Sequence, residues 1–443
     1  MGKRNMKLRL FILCCFGLVL GFAQNGEDDL YLYDDFKAVS QENIFKTEGY
    51  YNWGSSIIKE RDGKYHLFYS RWKKEYGFHG WLTHSEIAHA TSKSPAGPWK
   101  YKETALSVSG KGNWDAITAH NPKIKYFEGK YYLYYIATNM GGKDYTEEEL
   151  VETAKTGYSH PNWKILRPNQ RTGVAVSNSL NGPWSRMDKP LVEPSGPITT
   201  LTVNPAIDKG KDGKYYLIIK GDKPNEKKFI RNQAVAVAEH PDGPFEIKEK
   251  PVIDYMDTED MSIWYDENRD RFYGVFHAHN FIGLVTSENG TDWEKANEFV
   301  LKNKEILMED GTVIGPDRME RPFVYHEGGE PKVLSVAVKK GEESYAVFIP
   351  IIKNKSPVPN KRQLAWQEAE LGVVFHYDLH VFDGVKYGQG NNRIDPVEDY
   401  QIFNPEKLDT DQWVKAAKDA GAKFAILTAT HETGFALFQS KVN

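Results

Sequence analysis

Cysteine is almost missing from these 443 residues: there are two, Cys14 and Cys15. Both lie in the apolar run LFILCCFGLVLGFA (10–23), so hydrophobic cores, not disulfides, must hold the rest together. An excess of one charge is also missing. Lys and Arg total 57 against 61 Asp and Glu, a net charge of −4. No basic block occurs, which argues against a nucleic-acid partner. Long apolar runs are lacking as well: residues 10–23 are short for a membrane span, and no later segment is long enough.

That one run has the layout of a targeting device. Lys3, Arg4, Lys7 and Arg9 precede it, and the small residues Gly21 and Ala23 stand at −3 and −1 before Gln24. The pattern predicts a signal peptide over 1–23, cleaved after Ala23. The expected product is secreted or periplasmic, free of cysteine and not held in a membrane. A lipoprotein reading through Cys14 or Cys15 is weaker, because both sit inside the apolar core.

Aromatic residues are plentiful, with 25 Tyr and 11 Trp. β propensity accounts for most of the Tyr, and sugar rings also stack on such faces. The Tyr recur in a repeated phrase. NPKIKYFEGKYYLYYIA (121–137) returns as NPAIDKGKDGKYYLIIKG (204–221), and related hairpins occupy 54–70, 260–277 and 321–338. Asp62-Gly63 and Asp212-Gly213 are turn chemistry. A second element follows each hairpin: EIAHATSKSPAGPW (86–99), RTGVAVSNSLNGPW (171–184), NQAVAVAEHPDGPF (232–245), NFIGLVTSENGTDW (280–293) and the shorter SYAVFIPII (344–352).

Five copies of a four-strand unit predict a mainly β fold, a five-bladed β-propeller over 24–352. The fifth copy lacks an outer strand, which residues 30–50 are expected to supply. Five hairpins in a sandwich would need no such repetition.

Counting strands from axis to rim, the first and third of each blade start on one face. The first strands bring Trp53-Gly54, His120-Asn121, Val203-Asn204, Glu259-Asp260 and Glu320-Arg321 to the axis. The third strands start at Glu86, Arg171, Asn232 and Asn280, and Asp115 arrives in a connector. Trp53, Trp72, Trp81 and Trp114 surround this face. Crowded carboxylates push their pKa values apart, as glycosidic cleavage requires. Blander readings exist. Glu320 can pair with Arg321, Asp260 can cap a turn, and Asn121 and Asn204 precede proline as turn formers do. Glu147–Glu149 lie in a long insertion (138–170), either a solvated face or a wall of the pocket. No metal motif or cofactor site is visible; an axial ion in the propeller stays open.

The phrases NWGSSIIK, WLTHSEIAHA, AHNPKI, TEDMSIWYD and MERPFVYHE make residues 50–352 similar to the five-bladed propeller glycoside hydrolases of families 43, 62 and 117. The resemblance implies a carbohydrate substrate and paired carboxylates. Family-43-type enzymes place an Asp base at the start of the first inner strand, where this chain has Gly54. Under the resemblance Glu259 is the first candidate acid, Glu320 the second, Asp115 the base and Asp260 the tuning carboxylate. His120, Arg171 and Arg321 would bind hydroxyls or an anionic group. Glu86, Asn121, Asn204, Trp53 and Trp114 complete the expected substrate-binding set.

After a linker (353–363) the pattern changes to strand, helix, strand. The motifs ELGVVFHYD and FNPEKLDTDQWVKAAKDAGAKFAILTATHETGF resemble the opening of the family 29 α-L-fucosidases. That implies an incomplete α/β, TIM-barrel-like segment over 364–443, with His376, His431 and Glu432 lining a fucose pocket. The family's nucleophile Asp lies beyond Asn443, so fucosidase activity is not expected of these residues alone. The sequence reading is an exported, exo-acting glycoside hydrolase. The alternatives are an α-L-fucosidase with the propeller as a non-catalytic sugar-binding accessory, and a propeller that serves protein interaction.

Overall fold

The computed structural model describes residues 30–32, 35–226, 228–353, 361–382, 400–431 and 434–438. The expected signal peptide and Glu432 lie outside the described residues. Two compact units divide between residues 354 and 355.

The first unit holds five four-stranded antiparallel sheets. Blade 1 runs outward through Tyr50–Lys59, Tyr65–Lys73, Glu86–Ser92 and Lys100–Leu106, and blades 2 to 4 repeat this order. Their inner strands are His120–Phe127, Thr199–Lys209 and Glu259–Asp266. Blade 5 has only three consecutive strands, from Arg318–Glu327 outward to Glu343–Pro350. Its outer strand is Ile44–Phe45, with Ile44 opposite Val347 and Phe45 opposite Ala346. The ring is a five-bladed β-propeller closed by residues from near the start of the chain.

Neither face of a blade is stable alone, because alternate side chains on both are apolar. Stacking removes both faces from water. One buried cluster fills each space between neighbours: Phe68 with Leu133, Tyr134 with Leu217, Ile218 with Phe272, Val275 with Val336, and Leu67 with Phe348. Phe45 plugs the last of these, edge-on to Tyr69 at 5.1 Å between ring centres. Phe45→Ala removes the latch of the ring and is expected to cost about 3–5 kcal/mol. A lowered thermal midpoint of the propeller, with no loss of strand content below it, checks this.

Every inner strand is broken at one equivalent place. Gly54, Asn121, Asn204, Asp260 and Arg321 have φ of 56, 52, 57, 64 and 57°. The pairing register slips there in each blade. These are β-bulges. Glycine, asparagine and aspartate tolerate the left-handed region, whereas Arg321 bears a cost of about 1–2 kcal/mol there. The bulge interrupts alternation, so two consecutive residues reach the axial region in each blade.

The 138–170 insertion is not a bare loop. It forms a helix, Glu147–Thr156, which starts in a capping box between Thr146 and Glu149. A shorter helix, Trp163–Leu166, follows. Glu147–Glu149 are the acidic first turn of the longer helix, where they complement its dipole.

In the second unit, Gly372–Phe375 pairs parallel with Phe424–Leu427 across the helix Thr410–Asp419. Asp409 caps that helix through the amide of Gln412 at 2.9 Å. Trp366, Val374, Val414 and Leu427 of this unit are exposed.

Candidate active site

The five bulges build two layers on the axis. The bulge residues form the lower one. The Asn121 amide donates to Asn204 at 3.2 Å, and the Asn204 amide donates to Asp260 at 2.6 Å. Arg321 donates to the same Asp260 oxygen. A Cβ on Gly54 would lie 3.1 Å from the Asn121 side-chain oxygen, so any larger residue there would press on this ring. Asn121 and Asn204 sit at strand bulges, so the alternative reading as turn formers is not met; of the two expected substrate-binding residues Asn204 lines the cavity and Asn121 does not.

The residues just before the bulges form the upper layer. Trp53, His120, Val203, Glu259 and Glu320 all line a cavity of 330 Å³. One wall is aromatic, from Trp53, Trp72, Phe78 and Trp81, with Tyr158 and Trp163 contributed by the insertion. The rest of the lining is charged: Lys220, Arg231 and Arg321 accompany the two glutamates, and Arg318 lies over the Phe78 ring at 5.7 Å. One oxygen each of Glu259, Asp260 and Glu320 and a ring nitrogen of His277 all lie within 4.8 Å of one another. Among the described residues this group has the spacing to hold a cation. Its carboxylates are already engaged by Lys220, Arg231, Arg318 and Arg321.

Those contacts decide the charge states. Burial alone would raise the Glu259 carboxyl, but Lys220, Arg231 and Arg321 together hold it well below the usual carboxylate range. Lys220 stands 3.4 Å from it. Asp260 is the opposite case. Burial pushes it up and outweighs Arg321, with the Glu259 charge adding to the rise. Burial, then Arg321, keeps His120 neutral, with its Nδ1 2.8 Å from the Ser85 hydroxyl. Beneath the ring, burial and Arg321 bring the Lys123 amine down to about 7. Glu320 accepts from Arg318 Nε at 2.7 Å.

Several expected site residues are elsewhere. Asp115 is buried away from the cavity. Its carboxylate accepts from Tyr135 at 2.8 Å, from Arg186 at 2.7 Å and from Ser109. It therefore ties a connector to the outer part of blade 2, which corrects its candidacy as base. Trp114 donates to the Met187 carbonyl and stacks on Tyr135 nearby. Third strands start two inter-strand spacings from the axis, about 10 Å. Hence Glu86 pairs with Arg71 at 2.8 Å, and Arg171 pairs with Glu193 at 2.7 Å. Asn232 donates to the Pro197 carbonyl. None of these three lines the cavity.

Lys220 and His277 are site residues that first- and third-strand starts alone do not reveal, whereas Arg231 opens the third strand of blade 3, one residue before the expected Asn232, and does line the cavity. The second strand of a blade ends where the first begins, and the register pairs Lys220 with Val203 and His277 with Glu259. That antiparallel geometry was the available signal.

In the second unit the His376 and His431 rings lie 4.9 Å apart, and His431 Nδ1 is 3.5 Å from Asp378.

The five-bladed propeller fold recurs among solved glycoside hydrolases. A family 117 glycoside hydrolase from the marine bacterium Zobellia galactanivorans superposes with a TM-score of 0.52 at 18% identity, over 76% of this chain and 98% of that one. A second glycoside hydrolase superposes at 0.51 and 13% identity, over 75% and 96%. At such identities the likeness shows the fold. Residues 353–443 match the family model described as alpha-L-fucosidase. They include 85 residues that are 38% identical to alpha-L-fucosidase 1 of Arabidopsis thaliana, or 19% of this chain and 16% of that protein. The chain thus spans about a sixth of the curated relatives it matches.

One acid-sensitive device lies outside the site. His66 and His89 are buried in blade 1, joined Nδ1 to Nε2 at 2.8 Å. Burial, then the neighbouring His66, holds His89 down to about 4. An unfolded histidine titrates near 6.5, so the unfolded chain binds the extra proton between about 6.5 and 4. Stability is expected to fall as pH drops through that window, by up to about 1.4 kcal/mol per unit for this group. Thermal melts at stepped pH check it, and His89→Gln should flatten the slope.

Proposed function

We propose that the protein is an exported, exo-acting glycoside hydrolase whose reaction runs in the axial cavity. The observation that carries this is the pair Glu259 and Glu320. They are the two carboxyl-bearing residues of the cavity lining, one oxygen of each lies within 4.8 Å of the other, and they share that lining with aromatic side chains suited to a sugar ring. A carboxylate clamped by Lys220 and Arg231 is poorly suited to give up a proton at neutral pH. Glu320, the second candidate acid in the sequence reading, therefore takes that role, and Glu259, the first, takes the place expected of Asp115. Glu320 protonates the departing glycosidic oxygen, and the ionised Glu259 attacks or stabilises the anomeric carbon.

With one oxygen of each within 4.8 Å of the other, the pair suits the roughly 5–5.5 Å carboxyl spacing of the covalent route better than the roughly 6.5–9.5 Å that admits an attacking water. We expect retention of anomeric configuration, read by proton NMR of the first-formed product. The exo preference rests on the insertion, which walls one side of a cavity at the small end of ligand sites, roughly 300–1,000 Å³. Export rests on residues 1–23, and an exported product should begin at Gln24.

A panel of glycans with a reducing-sugar readout tests the reading. Turnover by the intact protein that disappears in Glu320→Gln supports it, and no turnover on any glycan defeats it. A second reading is favoured by the match over 353–443. The second unit is the opening of an α/β barrel, and the propeller is an accessory to an α-L-fucosidase. Release of fucose that survives Glu320→Gln would favour that reading.

A further inference from the structure

We propose that the cavity selects a sugar bearing an anionic group, a carboxylate or a sulfate ester, next to the bond that is cut. This rests on the glycoside hydrolase reading above. The charged wall is unequal. Arg167, Lys220, Arg231, Arg318 and Arg321 line the cavity against Glu259 and Glu320. Three counter-carboxylates stand outside the lining: Asp222 paired with Arg167, Asp257 with Arg231 and Asp260 with Arg321. An occupant therefore touches these cations and not their three partners.

Three of these cations are also crowded together. Arg167, Lys220 and Arg231 lie 4.4, 5.6 and 6.0 Å from the ring centre of Phe229. Phe229 is exposed, so the cluster is open at its outer side. Lys220 has one carboxylate within ion-pair range among the described residues, Glu259, and Arg231 holds that same group. When Glu259 bonds to the anomeric carbon it gives up its charge. Lys220 is then left buried with no counter-charge, which is costly. An anionic substituent on the bound sugar would fill that place, whereas a hydroxyl would not. Charge-assisted hydrogen bonds exceed neutral ones by enough to set the choice.

The test uses full-length Glu320→Gln protein and matched oligosaccharides in a calorimeter. One pair comes from a sulfated galactan before and after desulfation. The other comes from a polygalacturonate before and after carboxyl reduction. The acidic member of at least one pair should bind about tenfold more tightly than its neutral twin. The advantage should shrink with added salt and narrow in a Lys220→Met background. Which pair responds identifies sulfate or carboxylate. Equal or tighter binding of the neutral twins, or binding of no member, overturns the proposal. The wild-type protein separates the two claims. Cleavage of neutral glycans without preference removes the anion and leaves the hydrolase. Acidic binding with no cleavage of any glycan leaves the anion site and removes the hydrolase.

Discussion

Glu320→Gln is expected to lower kcat on an unactivated glycoside by about 10²–10⁴-fold. KM should change little, because the proton is delivered only as the bond breaks. On a nitrophenyl glycoside of the same sugar the loss should be far smaller, since that leaving group departs without a proton. Glu259→Gln should fail on both substrates. The contrast follows from the roles proposed for the two groups. Glu259 is held ionised by two cations, and Glu320 is the other carboxyl of the lining. Equal losses for Glu320→Gln on both substrates would remove its role as proton donor. Unchanged turnover for either variant would move the chemistry out of the cavity.

Arg321→Met is expected to destabilise the propeller by about 3–5 kcal/mol. Asp260 is fully enclosed, its side chain 0% exposed, and Arg321 is its ion-pair partner. Without the guanidinium, Asp260 is left against the Glu259 charge, which already pushes its titration upward. The change also relieves a left-handed arginine no more than any other non-glycine residue would. Adding Asp260→Asn should recover part of the loss, because a neutral amide can accept and donate around the ring. Denaturant midpoints of the propeller's transition for the single and double variants measure this. An additive pair of losses would show that the two residues act independently.

The blades were legible because their signals are local: alternation, Asp-Gly turns and a phrase repeated along the chain. The closing strand was legible from what blade 5 lacked. The bulges were not. Asn-Pro at 121 and 204 has the composition of a turn, and only equivalence with Gly54, Asp260 and Arg321 reveals a common backbone state. The cluster of Glu259, Asp260 and Glu320 followed from strand direction alone. Asp115 misled because a polar residue in a connector says nothing about depth, and its partners Tyr135 and Arg186 are set by packing. Lys220 and His277 needed the antiparallel pairing of each hairpin to be carried to its open end.

Ile44 and Val347 meet in the last sheet, so the circle joins segments about three hundred positions apart along the chain. Closing so long a loop is entropically slow. During synthesis, four blades must wait with one raw edge each side until the fifth emerges. A chain held too long in that half-built state is exposed to edge-to-edge association.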